Sequence, residues 1–194
     1  MIDFSNPPLD SYAGRRLALT AYHEAGHAVA DVVLGIDVDH VTIVPQEDTS
    51  GHETVIHPDD IKEGWGVSDY DDPRVRLHVE NFLIGLLAGP YAGRKFYPKA
   101  RLQATETLSD GRKVLAAGSD HSYVVRIIAD IFGDDSDQVR WTYERYVTVR
   151  ARALVETHWR SIELVANALL KRKTLSGDEV KRVMWAALRP AEAA

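Results

Sequence analysis

The chain has 194 residues, of which 45% are hydrophobic and 27% charged, a composition typical of one globular domain. Its formal net charge of −6 gives no basic surface for nucleic acid, and the absence of cysteine excludes disulfides, thiol catalysis and cysteine-ligated zinc. The polar, proline-rich start is not a signal peptide, and no apolar run reaches the roughly 20 residues of a membrane span. We therefore expect a cytoplasmic protein without membrane insertion.

The predicted elements begin after a flexible arm over residues 1–10. Apolar residues spaced along one helix face predict a helix from about Ser11 to Leu34, with Gly35 as its stop. The segments His40–Val44 and Glu53–His57 contain β-branched residues and end at prolines, which predicts two strands. Together they suggest a small antiparallel pair.

A second long helix is predicted to begin at Pro73, because Asp72 is a good N-cap and proline fits the first helical position. Pro90 is expected to kink this helix. Glycines recur there at every fourth position, which we interpret as close packing of a buried helix rather than as a membrane dimer motif. These glycines are Gly85, Gly89 and Gly93.

Residues 98–118 give no clear pattern and are expected to be partly helical and partly loop. Three helical stretches follow, over about 119–133, over 136–172 with a break near His158, and over 177–188. The last begins at Ser176-Gly177-Asp178-Glu179, which matches a capping box. The predicted fold class is mainly α with a small antiparallel β element, in a single domain over residues 11–190.

The segment His23-Glu24-Ala25-Gly26-His27 lies in the first predicted helix. Histidines four residues apart share one helix face, so both rings can reach one Zn²⁺ at about 2.0–2.1 Å. Glu24 points about 100° around the helix, near enough to take a proton from a water on the metal. Zinc lowers the pKa of such a water toward about 7 and polarises a carbonyl. This pattern predicts a peptidase with one catalytic zinc ion.

A catalytic zinc site of this kind has a third protein ligand and one open position. The spacing of the sequence does not choose that ligand. The candidates are Asp120, His121, Glu80, His78 and Asp110. For Asp120 the alternative interpretation is an acid at the start of a helix, where negative charge is favourable.

Four blocks of the sequence resemble the peptidase domain of the FtsH-type proteases, which are membrane-bound, ATP-dependent zinc metalloproteases. Thr20–Val29 resembles the start of that domain, and His40–Pro45 resembles the strand that follows its zinc helix. Leu86–Arg94 resembles the family's Leu/Gly-rich helix, and Leu169–Val180 its C-terminal helix–turn–helix. The resemblance covers about residues 15–185 in the family's order.

The resemblance implies a mainly helical FtsH-type metallopeptidase fold. It also implies an aspartate as third zinc ligand, from a Gly-x-x-Asn-Asp segment that opens a later helix. Ala117-Gly118-Ser119-Asp120 occupies that place here, with Ser instead of Asn. The resemblance therefore implies Asp120 as the third zinc ligand, and His121 and Glu80 are the alternatives. In the family, the strand after the zinc helix pairs with extended substrate, which implies the same for one of the two predicted strands.

The chain also departs from the family. It contains no Gly-rich Walker loop, and Pro90 and Gly93-Arg94 break the family's Gly-Arg-x-Ala-Glu-Glu pattern. We therefore expect ATP-independent hydrolysis of peptide bonds in unfolded or short polypeptides, and a homo-oligomer or a partner unfoldase is compatible with this. The alternative is a non-catalytic, zinc-containing FtsH-like domain that acts in binding or as an adaptor. The presence of Glu24 argues against it, because a structural zinc site needs no such acid.

Overall fold

The structure is a computed structural model that describes residues 11–45, 52–56, 70, 72–98, 105–107, 113–115, 119–133 and 136–188. The arm predicted over residues 1–10 and the candidate Asp110 lie outside these ranges. Six helices are described: α1 (Tyr12–Leu34), α2 (Pro73–Phe96), α3 (Asp120–Phe132), α4 (Asp137–Thr157), α5 (Trp159–Arg172) and α6 (Gly177–Leu188). Five short strands are described: β1 (Asp37–Thr42), β2 (His52–Ile56), β3 (Thr105–Thr107), β4 (Lys113–Leu115) and β5 (Thr174–Ser176). The predicted fold class, mainly α with a small antiparallel β element, is confirmed.

The helix ends follow their local signals. The Ser11 hydroxyl accepts a hydrogen bond from the Gly14 N–H at 2.9 Å at the start of α1, and Gly35 ends α1 with φ of 79°. Asp72 caps α2 through the Arg74 N–H at 2.8 Å. The helix continues through Pro90 to Phe96. None of the helices within the described ranges combines the length and apolar character that a membrane crossing requires.

Two further predictions concern breaks and loops. The break expected near His158 is confirmed, because this residue separates α4 from α5. The expectation of helix and loop over residues 98–118 is wrong for residues 105–107 and 113–115, because β3 and β4 pair antiparallel there, with Thr105 opposite Leu115. Each strand has only three residues, which is too short for a period-two pattern to stand out in the sequence.

The strand that follows α1 lies in the middle of a three-stranded antiparallel sheet of order β2-β1-β5. Val41 lies opposite Glu53 of β2 on one side and Leu175 of β5 on the other. The prediction of His40–Val44 placed β1 too late, because the chain enters the sheet directly after the Gly35 turn. Since both sides of β1 are paired, it cannot add an extended substrate strand. Among the described strands, β2 pairs only with β1 and lies at the edge of the sheet.

Two groups of buried side chains hold the helices together. The first packs α1 against β1, α5 and α6, and includes Val29, Val41 and Leu169. The second packs α2 against α3 and α4, and includes Leu83 and Val124. The two groups meet where α1 lies along α2, and this contact positions the candidate site.

The capping box predicted at the start of α6 is confirmed. The Ser176 N–H donates to the Glu179 carboxylate at 2.9 Å, and the Glu179 N–H donates to the Ser176 hydroxyl at 3.4 Å. The Arg172 guanidinium also donates to this carboxylate. These bonds lower the pKa of Glu179 from 4.5 to about 2, and the bond from Arg172 has the largest effect.

Because this pKa is depressed in the folded state, the stabilisation by Glu179 is complete above about pH 4.5 and is lost as the pH falls toward 2. We expect Glu179→Gln to lower the urea midpoint at neutral pH, and its difference from the wild type to shrink on acidification. Asp178→Asn removes a carboxylate from the same helix turn and is the matched control. A difference that stays constant from about pH 6 to pH 3 would contradict this account.

Candidate metal centre

Three donor atoms from two helices converge at one place. His23 and His27 lie one turn apart on α1, and Asp120 is the first residue of α3. The two Nε2 atoms lie 3.1 Å apart, and Asp120 Oδ2 lies 3.2 Å from that of His23 and 3.7 Å from that of His27. Within the described parts of the chain, these residues are the one group of three whose donor atoms could hold a metal ion.

The spacing of these atoms suits a zinc ion. Three donors that each lie about 2.0–2.2 Å from a tetrahedral ion are separated by roughly 3.3–3.6 Å. The separations of 3.1, 3.2 and 3.7 Å bracket this range, so small side-chain shifts would complete the geometry. Two imidazoles and one carboxylate are also a donor set typical of catalytic zinc.

The orientation of His27 is set by α2. Its Nδ1 lies 2.9 Å from the backbone carbonyl oxygen of Gly85. A carbonyl oxygen can only accept, so Nδ1 carries the hydrogen and the Nε2 lone pair faces the other two donors. Hydrogen bonds of this kind fix the tautomer and the ring orientation of metal-binding histidines.

Close packing between α1 and α2 makes this contact possible. A Cβ atom at position 26 would lie 2.8 Å from the Ala88 carbonyl oxygen and 3.0 Å from the Gly89 Cα. A Cβ atom at position 89 would lie 2.2 Å from Nε2 of His27. The glycine spacing predicted as close helix packing therefore has a specific consequence, because Gly89 leaves room for the His27 ring.

The Asp120 carboxylate is turned toward the histidines rather than used as a helix cap. The hydroxyl of Ser119 accepts the capping bond from the Ser122 N–H at 3.3 Å. Burial alone would raise the pKa of Asp120, but the two imidazole rings of His23 and His27 beside it outweigh burial and hold the pKa well below its usual range. The carboxylate is therefore ionised at neutral pH and able to act as a ligand.

The remaining candidates for a third ligand have other contacts. His121 Nε2 lies 3.0 Å from a Glu144 carboxylate oxygen. Glu80 accepts hydrogen bonds from the Tyr146 hydroxyl at 2.9 Å and from Arg150 at 3.1 Å. His78, on α2, is not part of the three-donor group.

Glu24 is buried on α1, with 6% of its surface exposed, and follows His23 directly. Its carboxylate does not belong to the group of three donors. The group itself is accessible from one side, since the side chains of His23 and Asp120 are 31% and 30% exposed while that of His27 is 10% exposed. Water and a ligand can therefore approach along the side of His23 and Asp120.

Sequence reasoning did not find the role of Gly85. Its contribution is a backbone carbonyl, which carries no residue signature, and it lies 58 positions from His27. The four-residue repeat of glycines was the available signal, but it indicates close packing and not the atom that is brought close.

No protein-family model matches the chain. It is similar over most of its length to zinc metalloproteases of the FtsH and YME1 type. The ATP-dependent zinc metalloprotease FtsH of Lactococcus lactis subsp. lactis is 26% identical over 93% of this chain and 28% of its own length. A YME1 homolog of Caenorhabditis elegans is 26% identical over 85% of this chain and 25% of its own length. The chloroplastic/mitochondrial FTSH 9 of Oryza sativa subsp. japonica is 28% identical over 88% and 22% respectively.

The chain thus spans about a quarter of the length of these curated relatives. The similarity agrees with the resemblance seen in the sequence and with the mostly helical fold.

The fit of His27 against α2 gives a direct test. We expect Gly89→Ala to weaken zinc binding by more than about tenfold, because the added methyl group displaces the His27 ring. Gly93→Ala is the matched control. An added Cβ there would lie 3.2 Å from Leu19 Cδ1 and 3.9 Å from His23 Nδ1, so its distance to the nearer histidine nitrogen is an ordinary contact. Competition with a chelating indicator measures the affinities, and circular dichroism checks the fold. Equal zinc affinities for two folded variants would contradict the assigned role of Gly89.

Proposed function

We propose that this chain is a zinc-dependent peptidase that hydrolyses peptide bonds in unfolded or short polypeptides. His23, His27 and Asp120 are the proposed ligands of one zinc ion, and Glu24 is the proposed proton acceptor. The observation that carries the proposal is the convergence of three donor atoms, 3.1 to 3.7 Å apart, with the buried acid Glu24 directly after His23 in the same helix. The similarity to zinc metalloproteases supports it.

The chemistry is divided between the metal and the protein. A zinc ion held by these residues would act as a Lewis acid that activates water and polarises the scissile carbonyl. Glu24 accepts the proton that the attacking water loses and returns it to the departing amine nitrogen. The Gly85 carbonyl keeps His27 in the tautomer that binds a metal through Nε2.

The substrate class follows from the shape of the site. Since His27 and Glu24 are buried, a scissile bond must approach along the side of His23 and Asp120 in an extended, locally unfolded segment. The edge strand β2 offers main-chain groups that could hold such a segment by strand addition. Hydrolysis consumes only water, so we propose that the peptidase step needs no ATP, although the relatives are named as ATP-dependent.

The decisive variant is Glu24→Gln, which keeps the shape of the side chain and removes its basicity. We expect zinc-loaded wild type to hydrolyse unfolded, dye-labelled casein without ATP, and a chelator to stop the reaction until zinc is returned. Glu24→Gln should retain a full equivalent of zinc and lose at least about 100-fold in rate. Glu179→Gln, at the start of α6 and outside the candidate centre, is the control and should keep its rate.

Two results would contradict the proposal. One is a zinc-loaded wild type that leaves unfolded casein intact, which would favour a non-catalytic zinc-containing binding domain. The other is an equal rate in the wild type and Glu24→Gln, which would show that another group accepts the proton.

A further inference from the structure

A surface cavity of about 590 Å³ lies beside the C-terminal part of α2, away from the candidate metal centre's donor atoms. Its volume is within the range of ligand-binding pockets, roughly 300–1,000 Å³. Tyr91 and Arg94 of α2 line it together with Arg152 and Val155 of α4, and Pro98 follows α2 at its rim. The cavity therefore combines apolar surface with guanidinium groups from two helices.

The charges that line this cavity do not cancel. Lys95 and Glu156 also line it, but they form an ion pair with each other, and the Lys95 ammonium lies 4.7 Å from the centre of the Trp159 ring. In the described parts of the chain, neither Arg94 nor Arg152 has an acidic partner. Two positive charges without an acidic partner thus line one cavity in a chain whose net charge is −6.

The arginine from α4 is held in place before any ligand arrives. The Arg152 guanidinium lies 4.7 Å from the centre of the Tyr91 ring, a cation–π arrangement that restricts its motion. Arg94 lies in the last turn of α2, where its charge complements the helix dipole. The dipole of α2 does not account for Arg152, which comes from another helix and lines the same cavity as Arg94.

We propose that this cavity binds a carboxylate carried by a peptide, with the C-terminal carboxylate as the source that fits best. A guanidinium group matches a carboxylate with two parallel hydrogen bonds, and two such groups can hold both oxygens. A C-terminal residue presents its carboxylate and its side chain from the same Cα. The apolar surface of Tyr91, Val155 and Pro98 can cover an apolar side chain beside the carboxylate.

The cavity and the candidate metal centre lie on different faces of the same helix. The Cα of Gly93 faces Leu19 and His23 of α1, and the next residue, Arg94, lines the cavity. In a peptidase, a polypeptide held by its end at this cavity would be a candidate substrate. That role rests on the proposed peptidase function, whereas the binding of a carboxylate does not.

The experiment measures binding to the full chain carrying Glu24→Gln, so that the peptides stay intact and peptidase activity plays no part. Three fluorescent peptides of otherwise identical, uncharged sequence are compared by anisotropy. One ends in leucine with a free carboxylate, one ends in leucine amide, and one ends in leucine amide but carries an internal glutamate. Arg94→Gln and Arg152→Gln are the test variants. Arg126→Gln is the matched control, because the guanidinium of Arg126 also lies over a tyrosine ring, 4.8 Å from the centre of the Tyr123 ring on α3.

We expect the free carboxylate to bind at least about tenfold more tightly than the amide, as for other charge-assisted hydrogen bonds to arginine. Arg94→Gln and Arg152→Gln should each remove most of this preference, and Arg126→Gln should leave it unchanged. Equally tight binding of the glutamate peptide would support the site and assign the carboxylate to an acidic side chain. Equal affinities for all three peptides would overturn the proposal. A preference that survives in both test variants, as binding at the metal would produce, would overturn it as well.

Discussion

The close contact between α1 and α2 is the constraint on which the candidate site depends. A Cβ atom at position 26 would lie 3.0 Å from the Gly89 Cα, so the helices can approach this closely only with glycine there. At this separation the Gly85 carbonyl reaches Nδ1 of His27 at 2.9 Å and directs the Nε2 atom outward. A larger side chain at either contact would separate the helices and release the ring.

The third donor depends on a different part of the fold. α3 packs on α2 and α4 through Val124 and Ile128, and this packing places its first turn against α1. Ser119 satisfies the helix end, which leaves the Asp120 carboxylate available to the histidines. The site thus joins the two buried groups of side chains, and a change in either group can alter the distances between the donors.

Local signals in the sequence predicted most of the helices. The caps at Gly35 and Asp72 act within a few residues of themselves, and each lies where it was predicted. The helix predicted from about Ser11 begins at Tyr12, with Ser11 as its N-cap. The placement of His23 and His27 on one helix face was likewise a property of a single helix.

Long-range contacts were less accessible to prediction. Asp120 and not His121 lies against the histidines of α1, and His121 Nε2 instead lies 3.0 Å from a carboxylate oxygen of Glu144 on α4, a contact that no local pattern reveals. The three-residue strands β3, β4 and β5 have too little sequence to stand out, and their partners define them.

The most direct test of the account compares the zinc affinity of the full wild-type chain with the affinities of His27→Ala, Asp120→Ala and His121→Ala. The account predicts losses of at least about 100-fold for the first two variants and a change within about threefold for the third. Full zinc affinity in Asp120→Ala, or an equal loss in His121→Ala, would contradict it.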